Sequence, residues 1–205
     1  RIAVARPQRP AAGNPGAGGR QLADETGAGA GEPDFNTDMD VLNYALTLEY
    51  LEAAFYAKGN ARSLVTGREA EDLRAIGADE QAHVEALTAT ILKLGGTPVP
   101  APLVDFGDAF KDRDHFLKLS HTFENTGVSA YLGAAGSIKS KDVLQAAAGI
   151  YGVEARHAAI IGHLLNLKVD DGVFMGPMEK PKTQAAVLAA VTPFLLEPTG
   201  TSGSR

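Results

Sequence analysis

The chain has no cysteine. Without thiolates it can hold no disulfide, no zinc finger, no rubredoxin-type or cysteine-ligated iron–sulfur centre, and no cysteine nucleophile. A thiol-free chain is also indifferent to the redox state of its compartment. Any metal it binds must rest on His, Asp and Glu, a donor set that suits iron, manganese or zinc. No run of 18 apolar residues occurs, which argues against a transmembrane helix and membrane insertion. Basic stripes are missing too. With a net charge of −6, the chain is a poor partner for nucleic acid or an anionic membrane. Finally, there is no initiator Met: the chain begins Arg1-Ile2-Ala3. That beginning reads as a processed or trimmed product, and the expectation is a secreted or extracytoplasmic protein, with the cytoplasm as the alternative.

What is present is 205 residues, 44% of them hydrophobic, enough for one large domain or two small ones and for a core that needs no staples. Residues 1–33 stand apart. They hold 7 of the 23 Gly and 4 of the 11 Pro, with almost no large apolar residues. Such a stretch cannot bury enough surface to offset its ordering entropy and reads as an arm without regular structure. From Asp34 the pattern turns helical. Asn36, Thr37 and Asp38 are N-cap candidates, and Leu42, Ala45, Leu46, Ala53 and Tyr56 recur at helical spacing as far as Lys58. A second helix is expected from about Gly67 to Leu94, where Gly95-Gly96 and Pro98 stop it. The Pro-rich stretch from about Thr97 to Asp112 is long enough to cross the length of a bundle. Two further helices follow, at about Asp114–Ala135 and Ser140–Leu167. A shorter one at about Thr183–Leu196 closes the domain, residues 34–199, ahead of a tail, Gly200–Arg205. No strand alternation is evident. Four long helices with short outer links and a long middle link give an all-α fold, a four-helix bundle with one long crossover and a short extra C-terminal helix, which is the ferritin-like connectivity.

Two Glu-x-x-His motifs stand in separate helices, Glu80-Gln-Ala-His83 and Glu154-Ala-Arg-His157. Residues at i and i+3 share a helix face, so each motif presents one carboxylate and one imidazole to a single point. The other two helices each carry a glutamate in an apolar stripe, Glu49 and Glu124, and each has a tyrosine seven residues on, Tyr56 and Tyr131. The Glu-to-Glu spacing is 31 residues (80 − 49) in the first hairpin and 30 (154 − 124) in the second. The chain thus reads as two similar helical hairpins. Four buried carboxylates would repel strongly, whereas two divalent cations balance them while both imidazoles stay neutral. One Glu from each of two helices plus a Glu-x-x-His from each of the others is the di-iron or di-manganese carboxylate pattern. Glu52 competes with Glu49, lying about 60° round the helix from it. Aligning the hairpins sets Glu52 against Gly127 and Glu49 against Glu124, which favours Glu49. Glu85 reads as solvent-facing. So do His115, His121 and His163, with His121 also a candidate to support Glu124. Tyr56 and Tyr131 read first as core aromatics, then as hydrogen-bond donors to the ligands. Asp79 reads either as a solvated residue or as one that orients a ligating His. Asp170-Asp171-Gly172 reads as a turn, too short for a calcium loop.

From about Phe35 to Leu196 the chain resembles the ferritin-like domain family found in desiccation-related and other stress-associated proteins, many of them exported. The resemblance is carried by Leu46-Thr-Leu-Glu-Tyr-Leu-Glu-Ala-Ala-Phe-Tyr56, Ala78-Asp-Glu-Gln-Ala-His-Val-Glu-Ala-Leu87, Phe123-Glu-Asn-Thr-Gly-Val-Ser-Ala-Tyr-Leu-Gly133, Val153-Glu-Ala-Arg-His-Ala-Ala159 and Val187-Leu-Ala-Ala-Val-Thr-Pro-Phe194. It implies a four-helix bundle with a dinuclear metal site, often dimeric, and does not fix a reaction. Rubrerythrins append a cysteine-ligated iron domain, which this chain cannot have. Manganese catalases usually supply three carboxylates and two His, so a fourth carboxylate argues against a plain catalase. The long arm and the C-terminal segment argue against a storage cage.

The expectation is therefore a homo-oligomer, a dimer or larger, whose Glu49, Glu80, His83, Glu124, Glu154 and His157 hold two iron or manganese ions, two of the glutamates bridging. Its substrate would be O2 or H2O2, and the chemistry ferroxidase or peroxide-consuming, in protection against oxidative or desiccation stress. The alternative is a structural or assembly protein in which metal is absent or only stabilising. No nucleic acid or membrane partner is expected.

Overall fold

The structure is a computed structural model that describes residues 34–196. The arm expected over residues 1–33 and the tail expected over Gly200–Arg205 lie outside the described residues. Four long helices run Asp38–Asn60 (α1), Gly67–Lys93 (α2), Arg113–Ala135 (α3) and Lys141–Leu164 (α4), and a short one, Gln184–Val191 (α5), follows. No described helix is long and apolar enough to cross a membrane.

The helices begin where side chains can satisfy their first amides. Thr37 caps α1 in a reciprocal box: Asp40 N–H donates to Thr37 Oγ1 at 3.1 Å, and Thr37 N–H donates to Asp40 Oδ2 at 2.8 Å. Asp112 caps α3 by accepting from His115 N–H at 2.9 Å, while Ser140 and Thr183 cap α4 and α5. The caps also join elements. The Asp38 carboxylate accepts from the backbone amides of Lys139 (2.7 Å) and Ser140 (2.9 Å), setting the start of α1 beside the start of α4. At the other end Arg113 donates to Glu69 (2.5 and 2.9 Å) and to the Leu164 carbonyl (2.8 Å), gathering the starts of α2 and α3 and the end of α4. Each hairpin is thus antiparallel, and α1 runs opposite to α3 as α2 does to α4. Residues 94–112 must therefore travel the full length of the bundle. Asn43 holds the start of that crossover, accepting from Val99 N–H at 2.8 Å, and Lys58 donates to the Val104 carbonyl at 3.1 Å.

Two helix ends and one strand pair differ from the sequence reading. The fourth helix ends at Leu164 rather than Leu167, in a turn with Asn166 at φ +54°. The last helix stops at Val191, because Pro193 has no amide to continue it, and gives way to a 3-10 turn over Thr192–Phe194. Strands, expected nowhere, occur as a two-residue pair: Leu103–Val104 (β1) runs antiparallel to Leu195–Leu196 (β2), in register Leu103↔Leu196 and Val104↔Leu195. Apolar runs this short carry no period to read. Their pairing depends on the crossover and the C-terminal segment meeting over the same groove.

Under that pair lies the larger core. Phe55 is fully buried and its ring meets those of Phe106, Phe110, Phe116 and Phe123 at 5.1–5.3 Å. The cluster binds α1 to the crossover and to α3. Gly59 makes the approach of these helices possible, since a Cβ there would stand 2.3 Å from the Phe116 ring. A second apolar cluster, with Leu42, Leu46, Val84, Leu87, Ile91, Val143 and Ile150, fills the space among α1, α2 and α4. Between these apolar layers lies a set of carboxylates and imidazoles.

Candidate metal centre

All six residues singled out by motif and spacing are buried and face one another. Glu49, Glu80, Glu124 and Glu154 are 0% exposed, and His83 and His157 are 8% and 6% exposed. They come from α1, α2, α3 and α4, with both Glu-x-x-His pairs turned inward. His83 Nδ1 stands 3.2 Å from Glu49 Oε2, from Glu80 Oε2 and from Glu154 Oε1. His157 Nδ1 stands 2.8 Å from Glu80 Oε1 and 3.3 Å from Glu124 Oε2. Two groups of donor atoms result, each within 4.8 Å: Glu49, Glu80, His83 and Glu154, and Glu80, Glu124, Glu154 and His157. Glu80 and Glu154 belong to both.

The outer contacts exchange partners between the hairpins. Tyr131 on α3 donates to Glu49 Oε1 on α1 at 2.5 Å, and Tyr56 on α1 donates to Glu124 Oε1 on α3. The seven-residue Glu–Tyr spacing thus acts across the bundle, each tyrosine serving the other hairpin's glutamate. Each of these glutamates has one oxygen occupied by a phenol and the other turned towards a histidine. Asp79 accepts from His157 Nε2 at 3.2 Å, which leaves Nδ1 as the inward lone pair. His83 makes no such outer contact among the described residues.

Several inward atoms have no hydrogen-bond partner: Glu80 Oε1, Glu124 Oε2, both oxygens of Glu154, and His157 Nδ1. Where His157 Nδ1 comes close to a carboxylate, the approach is too far off-axis for a hydrogen bond. Orphaned buried polar atoms are costly unless something meets them. Carboxylate and imidazole atoms aimed at common points, with no protein donor between, fit metal ions.

Without metal, protons must balance the charge. Burial pushes the Glu49 carboxyl up to about 7, with Glu80 adding to the rise and His83 opposing it. Burial, then the neighbouring carboxylates, hold Glu154 well above the usual range, and burial raises Glu124. Glu80 goes the other way, to about 2, because the His157 and His83 imidazoles beside it outweigh its burial. Burial would lower both histidines, but the surrounding carboxylates prevail and lift His83 to about 12 and His157 to about 11. A cluster that gathers protons in this way is one that cations can enter by displacing them.

The remaining candidates fall away from the centre. Glu85 and His163 are exposed. His115 bonds Asp112 at 2.7 Å on the surface. His121 donates to the Gly172 carbonyl at 2.9 Å, tying α3 to the loop after α4, and so does not support Glu124. Asp170 and Asp171 form a turn. Of the two α1 glutamates that compete for the first-helix place, Glu49 belongs to a donor group and Glu52 to neither, though Glu52 is also buried, at 3% exposure. The signal for that burial is its i+3 position from Glu49, on the same broad face of α1.

No curated protein matches the chain. A family model for the ferritin-like domain matches residues 37–167, which spans α1 to the end of α4 and includes every residue of the buried cluster. The chain belongs to the ferritin-like domain family.

Proposed function

We propose that this protein is a dinuclear non-haem iron or manganese protein that acts as an oxidoreductase on O2 or H2O2, in ferroxidase or peroxide-consuming chemistry. The observation that carries the reading is the sharing of Glu80 and Glu154 between two donor groups, each completed by one terminal glutamate and one histidine Nδ1. Glu49 and His83 would complete one metal position, and Glu124 and His157 the other, with Glu80 and Glu154 bridging. When bound, the metal pair would supply the electron transfer that carbon, nitrogen and oxygen side chains cannot.

The chain's own residues supply the rest. Tyr131 and Tyr56 fix which oxygen of Glu49 and of Glu124 faces inward. Asp79 holds the tautomer of His157. A cavity of about 40 Å³ lies between α1, α2 and α4, lined by Leu42, Ala45, Leu87, Ala147 and Ile150 and reaching Tyr131. Its lining is largely apolar, which suits a small apolar gas such as O2. A purely structural bundle has no use for such a centre, since leucines would pack there without the desolvation cost of buried acids. The biological role that fits is removal of O2 or peroxide under oxidative or drying stress.

The test is consumption of O2 and of H2O2 by iron- or manganese-loaded protein, compared with Glu80→Ala and the milder Glu80→Gln. Loss of consumption in both, with helical content retained, is expected. Unchanged consumption in folded Glu80→Gln would contradict the reading.

A further inference from the structure

Glu52 lies outside both donor groups described above, yet its position in the fold is central. Glu49 meets Tyr131, and Tyr56 meets Glu124. Midway between Glu49 and Tyr56 on α1 stands Glu52, and midway between Glu124 and Tyr131 on α3 stands Gly127. The two face each other at the level where the halves of the centre meet. A Cβ on Gly127 would lie 2.9 Å from Glu154 Oε2 and 3.4 Å from Glu52 Oε1. Carboxylates from α1 and α4 therefore converge on the space that a single methyl group would fill.

No donor separates them. Glu52 Oε2 has no hydrogen-bond partner, and neither oxygen of Glu154 has one. On its outward side a cavity of about 10 Å³ is lined by Leu48, Leu51, Phe123, Thr126, Gly127 and Val191. That space has room for about one water, and its lining is apolar apart from Thr126 and Glu52 itself. A buried carboxylate with an unpartnered oxygen and a second carboxylate beside it has no structural rationale of its own. Cations on the inner side would meet both. Charge points the same way. Five carboxylates exceed the charge of two divalent ions by one, an excess that vanishes when one ion becomes trivalent.

We infer that Glu52 is a further metal ligand, a third carboxylate placed to reach both metal positions, and that Gly127 is the residue that admits it. This rests on the dinuclear reading above. The test uses the full chain, stripped with chelator and titrated with Mn(II) by calorimetry and by electron paramagnetic resonance. Wild type is compared with Glu52→Gln, with Glu52→Asp, which keeps the charge but loses reach, and with Glu85→Gln as an exposed control. The expected result is weaker Mn(II) binding, by about 10-fold or more, in both Glu52 variants, an altered manganese spectrum, and an unchanged Glu85→Gln. The melting temperature of metal-free Glu52→Gln should equal or exceed that of wild type, because a buried unpaired acid has been removed. Wild-type affinity and spectrum in folded Glu52→Asp would reduce Glu52 to a field effect and overturn the inference, leaving the dinuclear reading intact. Wild-type affinity in Glu52→Gln with a lowered melting temperature would make it a structural residue, with the same consequence. Failure of the wild-type chain itself to take up Mn(II) would overturn both.

Discussion

Protons occupy the atoms that a bound metal would need at Glu49, Glu80, His83 and His157, and the sign of each contribution to stability follows residue by residue. The folded-state Glu49 carboxyl is raised from 4.5 to about 7. Between those pH values the folded chain holds more protons than the unfolded one, so stability falls as pH rises. The histidines, raised from 6.5 to about 12 and 11, contribute fully below pH 6.5 and lose that contribution as pH climbs. Glu80, lowered to about 2, acts in the opposite direction. Its contribution is whole above 4.5 and is lost as pH falls towards 2. The metal-free protein should therefore be most stable near pH 5. In chelator, its urea midpoint is expected to be lower at pH 8 than at pH 5, while Mn(II) affinity rises over the same interval because ligation expels protons. A metal-free midpoint that rises with pH would contradict this account of the cluster. The six ligand candidates were legible in the sequence because Glu-x-x-His on a helix and a repeated Glu–Tyr spacing both constrain direction. The burial of Glu52 beside them was less legible, because spacing between hairpins identifies equivalent positions and says nothing about a residue that has no equivalent.

At the scale of elements, the centre depends on helices joined at their ends by capping contacts and drawn together by aromatic packing. Phe55 is the joint: one ring touches the crossover through Phe106 and Phe110, and α3 through Phe116 and Phe123. Its replacement removes contacts to two elements at once in a fully buried position. Phe55→Ala is expected to cost about 3–5 kcal/mol, read as a lower urea midpoint at an unchanged slope. A loss below about 1 kcal/mol would mean that the cluster does not fasten the crossover. The four long helices were legible from apolar period, caps and Gly or Pro stops. The short antiparallel pair Leu103–Val104 and Leu195–Leu196 was not, because its register depends on two distant segments meeting. The early end of α5 could have been read from Pro193, which removes the amide the helix would need next.

Across the whole molecule, an antiparallel arrangement of two hairpins brings α1 against α3 and α2 against α4, and this placement makes the cluster. The crossover, β1, β2 and α5 cover the α1–α3 side. On the α2–α4 side, Asp79 is largely exposed and its partner His157 is 7% exposed at the side chain. The centre thus has a covered side and a side that approaches solvent. Lacking cysteine, the chain confines any metal chemistry to carboxylates and imidazoles. The most direct measurement is anomalous scattering at the iron and manganese edges from crystals of protein purified without chelator. The account predicts two peaks about 3.5–4 Å apart, between Glu80 and Glu154, one on the His83 side and one on the His157 side. No peak after reconstitution, or a single peak away from these residues, would contradict it.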